Sequence, residues 1–271
     1  MTVLFLFLLS LIVGFLSTQF WVPGSDFGRG YFQINALIIL GLLGLSVAVW
    51  IFYPLEPFGE LVGLGSSALW MAVVAAFLYY GAIWREAWKL SHWPGALALL
   101  GAGVAFLIAG LAMVGSPTPL PHRSLLLTVD LVSSALLLGW SLSTMLLGHW
   151  YLVVPGLRFR HLVIFCQVLL GTVVLRILIV AVSIALAASV DPLIEPHPFR
   201  ILIGLSGHGM FFWFRLMWGL AIPLLLAIMS LSCARRRANQ SATGILYVLV
   251  MGSLIGEITA LYLTLITGVP V

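Results

Sequence analysis

Leu125-Leu126-Leu127-Thr128-Val129-Asp130-Leu131-Val132-Ser133-Ser134-Ala135-Leu136-Leu137-Leu138-Gly139-Trp140, continued by Ser141-Leu142-Ser143-Thr144-Met145-Leu146-Leu147-Gly148, is one apolar run broken by a single charge, Asp130. A helix of about 20 such residues crosses the hydrocarbon of a bilayer. A carboxylate in that setting costs roughly 3 kcal/mol or more, so Asp130 needs a partner or a task. The run repeats in kind along the chain. Segments of spanning length cover about Val3 to Val22, Ile34 to Phe52, Leu61 to Trp84 and Gly95 to Gly115. They continue over Leu125 to Gly148, His161 to Ala188, Gly209 to Ser232 and Ile245 to Thr267.

Composition agrees. Of the 271 residues, 7% are charged, against about 25% in soluble domains. So few charges cannot cover a water-facing surface, and lipid must be the solvent. The expected fold is an all-α integral membrane bundle of eight transmembrane helices. It forms a single polytopic domain over residues 1–271, with four-helix halves 1–116 and 117–271 as a subdivision. Breaks fall at Pro23-Gly24, Pro54, Pro57, Pro94-Gly95, Pro117-Thr118-Pro119 and Pro155-Gly156. Pro223 lies inside the seventh segment, where the missing N–H predicts a kink. Phe199 to Ile203, in the longest connection, reads as a short piece lying on the membrane. The start of the chain has no basic region and no small-residue cleavage site, so it reads as a retained first helix.

Lys and Arg by side give the orientation. Connections after odd-numbered helices carry eight: Arg29, Arg85, Lys89, Arg158, Arg160, Arg235, Arg236 and Arg237. Connections after even-numbered helices carry two, Arg123 and Arg200. Acids Glu56, Glu60, Asp191 and Glu195 fall on that second side. The positive-inside rule then places the basic loops in the cytoplasm and both termini on the external, periplasmic side of the inner membrane.

Asp130 has company. Arg176, Arg215 and Glu257 also lie within apolar segments. At about 1.5 Å per residue, Asp130 and Arg215 share a level about 8 Å from the outer face. Arg176 and Glu257 share one near the midplane, about 18 to 22 Å from the cytoplasmic face. The simplest pairing is Asp130 with Arg215 and Glu257 with Arg176. Swapped partners or one four-member network satisfy the same levels. Glu257 is the candidate proton carrier, and the arginines would fix anionic or carbonyl groups. Thr128, Ser133, Ser134, Ser141, Ser143, Thr144, Thr172, Ser253 and Thr259 lie nearby in the sequence, mostly as back-bonds within their own helices.

Other features are weaker. No segment carries a mid-depth histidine, so a b-type haem near one face would have to use His149 or His208. His92, His122 and His197 fall in or beside loops. His149, His161, Cys166 and Cys233 share a level and the soft chemistry of copper or zinc, but not the spacing of a standard site. Arg235-Arg236-Arg237 suits anionic lipid headgroups, and Ser241 or Thr243 would cap the last helix. Trp21, Trp50, Tyr53, Tyr79, Tyr80, Trp84, Trp88, Trp93, Trp150 and Tyr151 cluster at segment ends. Most would form an interfacial belt, and the remainder would line a cavity for a flat ligand such as a quinone. The string Gly148-His149-Trp150-Tyr151 concentrates such groups at one helix end. Gly41 with Gly44, Gly63 with Gly65, Gly101, Gly103 and Gly110, and Gly252 with Gly256 allow close helix packing in a compact bundle or a homodimer.

No G-x-S-x-G or H-E-x-x-H motif is present, which leaves hydrolase chemistry without a nucleophile or metal site. No basic face with interleaved aromatics offers itself to nucleic acid. An eight-helix design with buried acid–base pairs is similar in outline to quinol-handling membrane anchors of the polysulfide-reductase type. The expected function is a non-catalytic membrane subunit of a respiratory, electron-transfer complex that handles quinone or protons, with other redox subunits as partners. A proton-coupled transporter of a small molecule or ion, using Arg176, Glu257 and Pro223, is the second expectation. An assembly scaffold is the third.

Overall fold

The computed structural model describes residues 1–22, 24–53, 58–113, 123–154, 156–157, 160–190, 198–204 and 207–271. Pro23, Pro54, Glu56, Pro57, Pro117, Pro119, His122, Pro155, Arg158, Asp191, Glu195 and His197 lie outside the described residues.

The described residues are helical, with no strand. Helix α1 (Thr2–Thr18) runs on into a 3-10 turn, Gln19–Trp21. Then come α2 (Gly24–Phe52), α3 (Val62–Trp84), α4 (Trp88–Met113), α5 (Arg123–Val153) and α6 (Arg160–Ala188). A short α7 (Pro198–Ile203) precedes α8 (His208–Leu216), a π-helical turn Met217–Ala221, α9 (Ile222–Arg235) and α10 (Asn239–Thr267). With α8, the π turn and α9 counted as one span, eight helices among the described residues are long and apolar enough to cross a membrane. This is the architecture of a multi-pass membrane protein.

Two boundaries differ from the sequence expectation. Helix α2 begins at Gly24 rather than near Ile34, and Gly28, at φ 72° and ψ 173°, offsets its first turn from the rest. Arg29 therefore sits on a helix, its guanidinium 4.5 Å above the Trp84 ring and 3.7 Å from Glu86. Pro94 does not end a helix: α4 runs through it, because proline's fixed φ is helical and only one hydrogen bond is lost. At Pro223 the structure places a π turn just upstream, where Ile222 N–H donates to Met217 O. The wider turn absorbs the bond that proline cannot make. The stretch Phe199 to Ile203 falls within the short helix α7, with Leu202 buried and Ile203 exposed.

Helix α1 is the most deeply buried span and packs against α2, α4, α5 and α10. Phe5, Leu9, Ile12 and Phe15 are fully enclosed there. At Gly14 the backbone of α1 meets that of α5 so closely that a Cβ would overlap the Ala135 carbonyl and Gly139. The outward faces are apolar as well. Leu37, Val74, Phe77, Leu178 and Leu225 are each more than half exposed. Helices apolar on both faces are stable only with lipid as solvent. Trp21, Trp84 and Trp93 are exposed as belt residues would be, whereas Tyr79 and Tyr151 turn into the core.

The small residues divide sharply. Gly101 lies against the backbone of Ala68 and Ala72, Gly65 against Phe58 and Gly110 against Leu131. Gly41, Gly44, Gly63 and Gly103 face open space. Gly252 and Gly256 are covered from within the chain by Trp218, Gly219 and Pro223, so this GxxxG face is occupied inside the bundle.

Candidate functional site

Arg176 of α6 is the centre of the site. Its Nη1 donates to Asp130 Oδ1 in an ion pair, to the Asp130 carbonyl at 3.3 Å and to Ser133 Oγ at 3.2 Å. Its Nε and Nη2 grip Glu257 side-on, at 3.2 Å to Oε1 and 3.0 Å to Oε2. Nη2 also donates to the main-chain oxygen of Val271 at 3.2 Å. Every nitrogen of this guanidinium thus has an acceptor, in the planar fork geometry that favours arginine over lysine. Val271 arrives because Gly268, at φ 70°, turns the chain back at the end of α10 and buries Val269 and Val271.

Arg215 of α8 completes the group and differs from Arg176. Its Nη2 donates to Glu257 Oε1 at 2.6 Å. Its Nε and Nη1, although buried, meet no partner among the described residues. Arg176, Arg215 and Glu257 are 0% exposed and Asp130 is 2% exposed. Two acids and two guanidinium groups cancel in formal charge.

The network corrects the simplest pairing. Asp130 pairs with Arg176 rather than Arg215, and Glu257 is shared by both arginines. Depth gave the right members but not the right neighbours. Helix α5 lies against α6 and α10, whereas α8 lies against α10. Arg215 therefore faces Glu257. Its head fits because α8–α9 and α10 cross at two glycines: a Cβ on Gly219 would overlap Arg215 Nη1, and one on Gly256 would lie 3.1 Å from it. Gly219 and the Val271 oxygen were missed by sequence reasoning. The signal for Gly219 was its place one turn after Arg215 and just before Pro223. Nothing in the sequence marked Val271.

The hydroxyls mostly spend themselves locally. Ser133, Ser141, Thr144, Thr172, Thr128 and Thr259 each donate to a carbonyl three or four residues back. Ser143 and Ser253 are buried without a partner among the described residues. Ser134 lies beside Glu257.

The histidine and cysteine constellation is not assembled. His161 Nε2 lies 2.9 Å from Asp26 Oδ2, and His149 Nδ1 lies 3.0 Å from Tyr247 Oη. Cys166 is buried in the core, Cys233 is partly exposed and both are free thiols. His208 packs beside Tyr262. Among the described residues no group of three or more His, Cys, Asp or Glu side chains is placed to share a metal ion. Equal level along the bundle left these side chains turned toward different neighbours. Arg235, Arg236 and Arg237 are exposed at the turn between α9 and α10. Ser241 and Thr243 lie inside α10, whose N-cap is Ala238, so neither caps it.

Comparison with protein-family models, with curated proteins and with solved structures gives no match. The functional reading rests on the geometry.

Proposed function

We propose that the chain is an integral subunit of a respiratory or redox complex in the cytoplasmic membrane, and that it handles quinone and protons with other subunits supplying the catalysis. Its basic loops face the cytoplasm and its termini lie outside, as the distribution of Lys and Arg indicates. The observation that carries the reading is the lopsided network. Arg176 is saturated, whereas Arg215, equally buried, holds Glu257 with one nitrogen and leaves two without an acceptor among the described residues. Dry guanidinium nitrogens are costly. That end of the network favours a water, through which a proton reaches or leaves Glu257. Ionisable groups inside membrane spans commonly serve as relays of this kind. Short connections suit a protein whose water-facing surfaces come from partners.

A scaffold role has one observation in its favour, the saturation of Arg176, which ties α5, α6 and α10 together. Isolation of the tagged chain from its own membranes in mild detergent separates the readings. Co-isolation of cytochrome or iron–sulfur subunits is expected. Glu257→Gln should lower the proton-coupled turnover of that assembly by about tenfold or more. Normal turnover by an assembled Glu257→Gln complex leaves the scaffold reading in its place. Solute-coupled proton flux by the chain alone in liposomes, with no redox subunit attached, establishes a transporter instead.

A further inference from the structure

Away from the charge network, a groove of about 520 Å³ lies along α3 and α4 beside the turn that joins them. Farther from that turn the two helices meet backbone to side chain, where a Cβ on Gly101 would press on the main chain of Ala68 and Ala72. On the outer side near the turn, by contrast, a Cβ on Gly81 would meet open space. Phe77, Leu78 and Gly81 form one wall, at the spacing of one face of α3. Leu90, Trp93 and Leu97 form the other, on one face of α4. Phe77, Leu78, Leu90 and Trp93 are each more than half exposed, whereas Tyr79 and Ile83 on the same stretch of α3 are buried. The groove therefore opens outward, where lipid would lie, between apolar walls. Arg85, the residue that ends α3, lines its turn end. Arg85 is exposed, and its guanidinium makes no ion pair among the described residues. The next residue, Glu86, lies 3.7 Å from Arg29, so that acid is offset by another cation.

An apolar groove with one cation at its end fits an amphiphile, with a hydrocarbon chain along the walls and an anionic head at the guanidinium. Its volume is that of sites which hold a small organic ligand, about 300–1,000 Å³. The donor sets the chemistry of the head. A guanidinium offers paired N–H groups in one plane and matches the oxygens of a phosphate. Basic pockets between membrane helices take anionic headgroups in this way. Arg85 also belongs to the basic connections, the side on which anionic lipid is met. We infer that the α3–α4 groove binds one chain of an anionic phospholipid and that Arg85 holds its phosphate. The site is built on other helices than the charge network and the basic triplet Arg235 to Arg237, and it does not rest on the proposed redox role.

The test places the full chain in phosphatidylcholine nanodiscs that contain a trace of photoactivatable phosphatidylglycerol, with a diazirine midway along one acyl chain. Phosphatidylcholine carrying the same chain is the control, because its choline cancels the charge of the phosphate. Labelled peptides are mapped by mass spectrometry. Label on residues 77–97 is expected to be about fivefold higher with phosphatidylglycerol than with the control. Arg85→Gln should bring it down to the control level. Gly81→Leu keeps every charge, fills the groove and should cut the label at least as far. Both positions face outward, so neither variant should lower the thermal unfolding midpoint. Equal label from the two lipids, or phosphatidylglycerol label that either substitution leaves unchanged, overturns the inference. So does a groove that neither lipid labels, the result when a partner helix or a second copy of the chain fills it.

Discussion

Arg176 and Arg215 are chemically identical, equally buried and bound to the same carboxylate, yet their environments predict different behaviour. Arg176→Met removes a saturated cation and strands Asp130 and one edge of Glu257 in apolar surroundings. Loss of one partner from a buried ion pair costs about 3–5 kcal/mol. Arg215→Met removes one hydrogen bond to Glu257 together with two donors that have no acceptor among the described residues. Glu257 keeps its side-on contact to Arg176, but the buried group is left with one uncompensated negative charge, so the cost should fall at the lower end of that range, about 3 kcal/mol. Denaturant unfolding in detergent ranks the two. Equal losses would show that the spare nitrogens of Arg215 are satisfied in the membrane, by water or by a ligand. At this scale the sequence was informative about identity. Asp130, Arg176, Arg215 and Glu257 stood out because charge inside an apolar run is rare and costly. Ser133 was one of nine nearby hydroxyls with nothing to rank it above the rest, and Val271 was unmarked, because a serine and a main-chain oxygen are ordinary in any helix or tail.

Among the elements, the crossings of α1 with α5 and of the π turn with α10 depend on bare backbone. Gly14→Ala would push the first pair apart, since its Cβ meets the backbone of Ala135 and Gly139 rather than a yielding side chain. Gly219→Ala would meet Gly256 and the head of Arg215. Each should cost about 1–3 kcal/mol, as overpacking does. Gly41→Ala, which faces open space, should be neutral or slightly stabilising because alanine is the better helix former. Thermal unfolding of the three variants side by side checks the contrast. Spacing alone could not sort these glycines. Gly41 with Gly44 looks as good a packing pair as Gly252 with Gly256, and only the second meets a neighbouring helix. Helix ends were similarly half-legible. The apolar runs located every span, but Pro94 and Pro223 show that proline marks a place where a bond is missing, not where a helix must stop.

For the whole molecule, orientation is the prediction that the distribution of Lys and Arg makes. Single cysteines at exposed Arg236 and exposed Phe52, in a chain with Cys166 and Cys233 replaced by serine or alanine, fall on opposite sides of the bilayer if the basic loops are cytoplasmic. A membrane-impermeant thiol reagent added to intact cells should label Cys at position 52 and spare Cys at position 236. The reverse pattern inverts the topology. The sequence by itself determined that the described residues are helical, that eight helices are long and apolar enough to cross a bilayer and that four charges lie within them. Those properties follow from local composition and length, because a run of apolar residues can satisfy its backbone in hydrocarbon only as a helix. The tertiary structure alone decided that Arg176 joins Asp130 to Glu257, that Arg215 is left with spare donors and that the groove along α3 and α4 ends at Arg85. The reason is geometric. Position along a helix fixes depth, but which side chains touch depends on rotation about the helix axis and on which helices are neighbours, and both are set by packing of the whole bundle.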